Sequence, residues 1–191
     1  MAIPKNSATL AVIIALLGSG CTQPDPNAAP SYTCTPSDGG TAQPCYKAEY
    51  DQKIKEDALY AEAEAVYRKF LAEDERIHRV GGASAATPVL LATTTGSYLE
   101  SAMTVYKALK AAKATASGGE FKIAWVRREP RLSMANSLVA LTACTDTSSV
   151  QMGSQGKTPL PGRISERTVY FVREADQLKI TDGTYKLVDQ C

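Results

Sequence analysis

The number and positions of the cysteines restrict the bonds that these residues can form. The chain has five of them: Cys21, Cys34, Cys45, Cys144 and Cys191. An odd count in a secreted protein leaves one thiol for another use. If Cys21 has that use, four cysteines remain, and they allow three disulfide pairings. We expect Cys34 to pair with Cys45 around a Gly-Gly turn, and Cys144 to pair with the terminal Cys191. Zinc binding is the competing interpretation, but the chain has no C-x-x-C spacing and one histidine.

Groups suited to acid–base catalysis are few. His78, the sole histidine, lies in "ERIHRVGG" at a polar helix end, where a cation suits the helix dipole, and we do not expect it to act as a general base. Asp146 with Tyr170 or Tyr185 could supply a base and an oxyanion donor. Asp146 could equally point outward and bond to neighbouring threonine hydroxyls, and Asp182 is expected in a turn. These residues favour a non-catalytic protein without metal or cofactor.

A phosphate-binding loop is suggested by Gly156-Lys157-Thr158 but lacks the rest of its pattern. The motif needs a glycine five positions before Gly156, where Gln151 stands. A helix must follow so that its N-terminus meets the phosphate, and prolines follow here instead. We therefore expect a β-hairpin loop.

The N-terminus resembles a bacterial lipoprotein signal. Lys5 precedes a short apolar run, residues 8–17, then Gly18-Ser19-Gly20 and Cys21. The run is shorter than the roughly 20 residues that span a bilayer. The resemblance implies that residues 1–20 are removed and that Cys21 is acylated on sulfur, although the family usually has leucine where Gly18 stands. An ordinary signal peptide with an incidental cysteine is the alternative.

Export and a lipid anchor set the expected location and organisation. The protein would lie on the outer face of the cytoplasmic membrane, with the membrane as a partner through the lipid. Residues 21–45 hold the acylated cysteine and a proline-rich stretch without apolar periodicity, which we interpret as a flexible tether carrying a small disulfide loop. Residues 46–191 are long enough for one globular domain.

Charge is balanced, with 21 basic and 20 acidic residues, and this argues against a nucleic-acid partner. Residues 49–75 carry nine acids and four bases, whereas residues 107–131 carry seven bases and two acids. Two solvated faces that complement each other are one interpretation. The other is a basic face turned toward anionic lipid or a protein partner, formed by Lys107, Lys110, Lys113, Arg127, Arg128 and Arg131.

The globular part divides into a helical half and a strand-rich half. Residues 47–78 contain no glycine or proline, and Leu59, Ala63, Val66, Phe70 and Ile77 form one stripe of an amphipathic helix. A second helix is predicted from the Thr93–Thr95 cluster to Gly118-Gly119, with a short helix at 87–91 between the two. Strands are predicted at 121–129, 136–148, 165–175 and 177–191, the last interrupted by a turn at Asp182-Gly183. This order predicts an α+β domain with helices packed on an antiparallel sheet.

Aromatic residues recur at strand and helix spacing in this domain. They either fill the core or line a pocket for a small apolar ligand. The residues concerned are Trp125, Tyr98, Tyr106, Tyr170 and Tyr185.

Two segments, "VALTACTDTSSVQM" and "RTVYFVREADQLKITDGTYKLVDQC", resemble those of small secreted lipoproteins of actinobacteria and their phages. In that group an Ala-Cys-x-Asp-x-Ser/Thr strand precedes a glycine-containing loop, an aromatic-Val-Arg strand follows, and the chain ends in cysteine. The resemblance covers residues 46–191 and implies an NTF2-like cone fold with a curved sheet. Its phage-encoded members imply a prophage role, protecting the host surface against superinfecting phage through contacts with envelope or phage proteins.

These observations predict a lipid-anchored envelope protein with a non-catalytic binding domain. A small-molecule carrier is the first alternative, and it requires a deep apolar cavity. A cone-fold enzyme is the second, and it requires a buried carboxylate opposite a tyrosine.

Overall fold

The computed structural model describes residues 30–191 of the 191-residue chain. The predicted signal peptide, the acylation of Cys21 and the first part of the predicted tether lie outside the described residues. Among residues 30–191, no helix combines the length and the apolar composition that crossing a membrane requires.

Three helices form in the first half of the domain: α1, Lys47–Arg79; α2, Pro88–Thr93; and α3, Gly96–Ala112. At the start of α1 the Glu49 carboxylate accepts the Tyr46 backbone N–H at 2.8 Å, one half of a capping box. The Thr87 hydroxyl caps α2, and Pro88 follows at the first helical position, where its missing N–H costs nothing. The predicted helices at 47–78 and 87–91 are therefore confirmed.

The strands form one large antiparallel sheet and two smaller ones. The bounds of the strands are β1, Tyr32–Cys34; β2, Gln43–Cys45; β3, Ala114–Ser117; β4, Lys122–Arg128; β5, Val139–Asp146; β6, Gln151–Ser154; β7, Leu160–Pro161; β8, Ile164–Glu174; and β9, Gln177–Leu187. The large sheet has the order β4-β5-β8-β9, the second has the order β3-β6-β7, and β1 pairs with β2. The predicted α+β class is confirmed, and β6 and β7 form the hairpin expected around Gly156.

The core lies between the helices and one face of the large sheet. The amphipathic stripe of α1 supplies Tyr67, Phe70 and Ile77, and β8 supplies Val169 and Phe171, all five essentially without solvent contact. Burying each such side chain stabilises the fold by about 1.5–3 kcal/mol. The shared core fixes α1 relative to β8.

Two disulfides join the pairs expected from the sequence. Cys34 bonds to Cys45 across the β1–β2 hairpin, with Cα atoms 5.8 Å apart. Cys144, in the middle of the sheet, bonds to Cys191, with Cα atoms 5.7 Å apart. The second bridge fixes the C-terminal residue to the sheet, and the Trp125 indole donates a hydrogen bond to the Cys191 carbonyl at 3.0 Å.

The small disulfide loop expected in the tether is present, and this part of the segment is folded onto the domain. The β1–β2 hairpin packs on α1, where the Tyr32 ring stacks on Tyr50 with centroids 4.9 Å apart. Lys53 of α1 donates to the Ser37 hydroxyl at 2.7 Å. The disulfide shortens the loop and so lowers the entropy cost of holding these contacts, which is why a proline-rich segment is ordered here.

Two predicted boundaries in the second half also differ from the structure. Helix α3 ends at Ala112 rather than at the glycine pair, because Lys113 has a left-handed φ of 49° and the next residues pair with β6. Asp182-Gly183 is not a turn, since β9 runs through it. The chain reverses instead at Ala175 and Asp176, both with positive φ, and a bulge lies near Asp182 where β8 and β9 shift register.

Candidate functional site

A cavity of about 580 Å³ lies where α1 and α3 meet the edge strand β9 and its neighbour β8. Helix α1 contributes its last turns, α3 contributes one face, and β9 contributes residues 182–185. The volume is within the range of small-molecule sites, roughly 300–1,000 Å³. The residues lining it are Phe70, Asp74, His78, Ser97, Tyr98, Ser101, Ala102, Val105, Tyr106, Arg167, Asp182, Gly183, Thr184 and Tyr185.

The side of the cavity formed by α3 follows from helical spacing. Ser97, Ser101 and Val105 lie four residues apart on one face, are exposed, and line the mouth. Tyr98 lies deeper and packs across Gly183 of β9. A Cβ atom at Gly183 would lie 3.0 Å from the Tyr98 ring and 2.9 Å from the Thr168 carbonyl oxygen. Glycine is therefore required for the close approach of α3 and β9 at this point.

Asp74 is the buried anion at the inner end of the cavity. Its side chain is only 5% exposed because Asp74 lies on the apolar stripe of α1, where a charged residue is unusual. The Tyr106 hydroxyl of α3 donates to Asp74 Oδ1 at 2.8 Å. His78 Nδ1 lies 3.1 Å from the same oxygen, and Arg167 Nη1 lies 3.5 Å from Oδ2. The Asp74 carboxylate of α1 thus contacts both α3, through Tyr106, and β8, through Arg167.

The tautomer of His78 is determined by its neighbours. Nδ1 lies 2.8 Å from the Asp74 backbone carbonyl and 3.1 Å from its carboxylate. Both neighbours are acceptors, so Nδ1 carries a proton, and Nε2 is left to accept a proton or, in the charged ring, to donate one. The ring also lies edge-on to Tyr106 and against Phe121. His78 lies in the last turn of α1, as predicted, but its side chain is only 16% exposed and forms part of the cavity wall.

Arg167 of β8 is the main cation of the cavity. It lies opposite Tyr185 in the β8–β9 register, and its guanidinium carbon is 5.7 Å from the centroid of that ring. Asp74 is its one ion-pair partner within residues 30–191, at 3.5 Å. Arg167 Nε is buried and has no hydrogen-bond acceptor in the described part of the chain. Because an unpaired buried donor is costly, this arginine has donor capacity left over.

Burial and charge act against each other at Asp74 and His78. Burial alone would raise the pKa of Asp74, but the hydrogen bond from His78 and the charge of Arg167 outweigh it and hold that pKa below its ordinary value. Burial alone would lower the pKa of His78, but the hydrogen bond to Asp74 and the charge of that carboxylate raise it above 6.5. Burial and the adjacent Asp74 carboxylate also raise the pKa of Tyr106, which therefore stays a hydrogen-bond donor.

A second cavity of about 450 Å³ lies on the other side of this polar cluster. His78, Arg167 and Tyr185 line both cavities, so their side chains separate the two. The remaining lining comes from Phe121 and from segments 147–152 and 160–165 around the β6–β7 hairpin.

The predicted pocket aromatics are divided between the two faces of the large sheet. Tyr98, Tyr106 and Tyr185 line the first cavity, but Trp125 and Tyr170 do not. Trp125 lies opposite Cys144 in the β4–β5 register, on the face that carries the disulfide. Tyr170 alternates with the inward-facing residues of β8 and also points away from the helices. Strand alternation therefore excludes both from the cavity.

Half of the predicted basic face, its three arginines, is paired with carboxylates within the fold. Arg128 pairs with Asp57 of α1, Arg131 pairs with Asp38 at 2.6 Å, and Arg127 pairs with Glu129 at 2.9 Å. Lysines 107, 110 and 113 lie on α3 and its C-terminal cap, and Lys110 donates to the Ser84 hydroxyl at 3.2 Å. Of these ion pairs, Arg128–Asp57 joins the acidic segment 49–75 to the basic segment 107–131.

The carboxylates first considered as bases have local structural roles. Asp146 accepts the backbone N–H of Ser148 at 2.8 Å and its hydroxyl at 2.6 Å, bonds that lower its pKa. Asp182 lies at the cavity mouth, where the Ser97 hydroxyl donates to it at 3.0 Å. The buried carboxylate opposite a tyrosine is Asp74 with Tyr106.

Asp74 and Arg167 were not among the site residues predicted from the sequence. A usable signal exists for Asp74, because it lies four residues after Phe70 and three before Ile77, inside the apolar stripe. Asp74 and His78 are also four apart, the spacing at which helix side chains meet. Arg167 lies two residues from the buried Ser165 and two from the buried Val169, a spacing that places all three on the inner face of β8.

Within residues 30–191, no three His, Cys, Asp or Glu side chains cluster so that they could hold a metal ion. Comparison with protein-family models, curated proteins and solved structures finds no match to this chain.

Proposed function

We propose that this chain is an exported envelope protein whose domain binds a small, largely apolar molecule in the cavity between α3 and β9. The observation that carries the proposal is the cavity itself. It is large, it opens between exposed α3 residues, and its walls combine Phe70, Tyr98 and Ala102 with a few polar groups at one end. Ligand sites have this composition, apolar walls with a small number of orienting polar groups.

Location is part of the proposal. The leader and Cys21 support export and lipid anchoring, and two disulfides fit a compartment in which such bonds persist. A carrier or sensor held at the membrane surface could exchange apolar molecules with the envelope. The NTF2-like relationship and the protective role against phage remain predictions from the resemblance.

Binding can be tested with N-phenyl-1-naphthylamine, an uncharged dye whose fluorescence rises in apolar sites. We expect saturable binding to the purified, disulfide-bonded chain. Ser101→Trp places an indole in the mouth and should weaken dye binding about tenfold, or about 1.4 kcal/mol. Thr104→Trp is the matched control, since Thr104 is exposed on the same helix and does not line the cavity.

The control separates cavity binding from adhesion to the surface. A dye that adheres to exposed apolar side chains would bind at least as well to Thr104→Trp and would not lose affinity in Ser101→Trp. Absence of saturable binding to the unmodified protein, or equal affinities in the two variants, would contradict the proposed function.

A further inference from the structure

We propose that the ligand of the first cavity is an amphipathic monoanion, such as a carboxylate with an apolar tail, whose charged end binds to Arg167 and His78. The inference rests on the proposed function and specifies its ligand class. It comes from the hydrogen-bonding inventory of the polar cluster at the inner end of the cavity.

Donors outnumber acceptors in that cluster. Asp74 Oδ1 receives the Tyr106 hydroxyl at 2.8 Å and faces His78 Nδ1, while Oδ2 faces Arg167. The carboxylate is therefore occupied on both oxygens. A guanidinium offers five N–H donors, and within the described residues Arg167 has one ion-pair partner at 3.5 Å and a hydrogen bond to the Tyr98 hydroxyl, which leaves donors over. Its side chain is 24% exposed in the cavity wall, so a ligand can reach it.

Charge favours an anion over a cation or a neutral molecule at this end. Arg167 balances Asp74, and His78 adds a positive charge when it is protonated. A ligand carboxylate would then complete a cluster of two cations and two anions. It would also accept charge-assisted hydrogen bonds from the guanidinium, which are stronger than bonds between neutral groups. An amine in the same place would meet two cations and only the Asp74 carboxylate, whose oxygens are already occupied.

The other carboxylate of the cavity lies at its opposite end. Asp182 is three residues along β9 from Tyr185, the residue opposite Arg167, a separation of about 10 Å at strand spacing. Its two oxygens accept the Gly183 backbone N–H at 2.6 Å and the Ser97 hydroxyl at 3.0 Å. The remaining titratable lining groups are tyrosines, so Arg167 and His78 make the inner end the cationic one.

The apolar part of the ligand has a defined place. Phe70, Tyr98, Ala102 and Val105 line the cavity between the polar cluster and the mouth. A tail along these residues would run between α3 and β9 while the anion contacts Arg167. The site therefore selects for one charged end and one apolar end.

The test uses two dyes that share a scaffold. 1-Anilinonaphthalene-8-sulfonate carries a sulfonate that N-phenyl-1-naphthylamine lacks. At fixed ionic strength and pH 6, we expect the anionic dye to bind the full chain about tenfold more tightly than the neutral one. Arg167→Gln should remove about that factor for the anionic dye and leave the neutral dye within about twofold. Arg163→Gln, at an arginine that lines only the second cavity, should change neither.

A variant-free measurement covers the case in which Arg167→Gln does not fold. Octanoate, octanol and octylamine are compared as displacers of the neutral dye, and we expect octanoate to be the strongest. Equal potency of the three, or an anionic preference that persists in a folded Arg167→Gln protein, would overturn the inference and leave the cavity proposal intact. Failure of the neutral dye to bind at all would instead contradict the proposed function.

Discussion

Replacing Asp74 with asparagine should destabilise the fold more than any change at a surface ion pair. Asparagine keeps the shape and can still accept the Tyr106 hydroxyl, so the substitution mainly removes the charge. Arg167 and His78 then lose their counter-ion. Removing one partner of a buried ion pair costs about 3–5 kcal/mol. Because Arg167 is 24% exposed, we expect the lower end, about 3 kcal/mol.

Asp57→Asn is the matched control on the same helix. Asp57 also pairs with an arginine of the sheet, Arg128, and with Lys53 of its own helix, but its side chain is 39% exposed. Exposed pairs contribute about 0–1 kcal/mol, so this variant should lose at most that amount.

Urea unfolding at pH 7, followed by far-ultraviolet circular dichroism, measures both variants. Asp74 is ionised at that pH because its pKa is held below the ordinary value. A loss of about 3 kcal/mol corresponds to a fall of roughly 6–12 °C in melting temperature for a chain of this size. If Asp74→Asn loses no more stability than Asp57→Asn, Asp74 is not the counter-ion that holds the cluster together.

Three further results are expected. The folded state raises the pKa of His78 above 6.5, so the stabilisation from its charge is fully present below that pH and is lost as the pH rises through the raised pKa. The urea midpoint of the native chain should therefore fall across this pH window, and the midpoint of His78→Gln should stay constant. Opening the Cys144–Cys191 disulfide, which spans 47 residues, should lower the free energy of unfolding by about 4 kcal/mol, and opening the Cys34–Cys45 disulfide, which spans 11, should lower it by about 3 kcal/mol. The longer loop restricts the unfolded chain more, so equal or reversed losses in urea unfolding would contradict this explanation. Cys21→Ser should move the protein from the membrane fraction to the medium, as immunoblots would show, and abolish any protection of the cell against phage, as plaque counts would show. Protection by the released protein would refute the hypothesis that the protein acts while anchored to the membrane.

Local sequence patterns predict the helices well and the β3-β6-β7 sheet poorly. The stripe from Leu59 to Ile77 depends only on residues within a few turns, so α1 could be located from the sequence. Residues 114–117 continue an alanine-rich helical pattern, yet they form β3 because β6 pairs with them. The helical preference of alanine is weak, and tertiary pairing overrides it. The same holds at Asp182-Gly183, which pair with Tyr170 and Val169 of β8 instead of forming a turn.

The candidate site could be predicted only in part. Tyr98, Tyr106 and Tyr185 belong to patterns visible in the sequence, and an acid inside the stripe of α1 marks Asp74. The meeting of Asp74 with Arg167 depends on the register of β8 against β9 and on how α1 crosses the sheet. These are long-range features, because 93 positions separate the two residues in the chain. No local spacing encodes that contact.

The partition formed by His78, Arg167 and Tyr185 has a thermodynamic consequence. Under the proposed binding function, two compartments that share these side chains would be energetically linked, since a molecule that shifts Arg167 toward the second compartment would change the affinity of the first. Linkage is reciprocal, so the two occupants would alter each other's binding by the same factor. Release of a cargo could then be driven by arrival of a competitor on the far side of the wall, without any opening of the α3–β9 mouth.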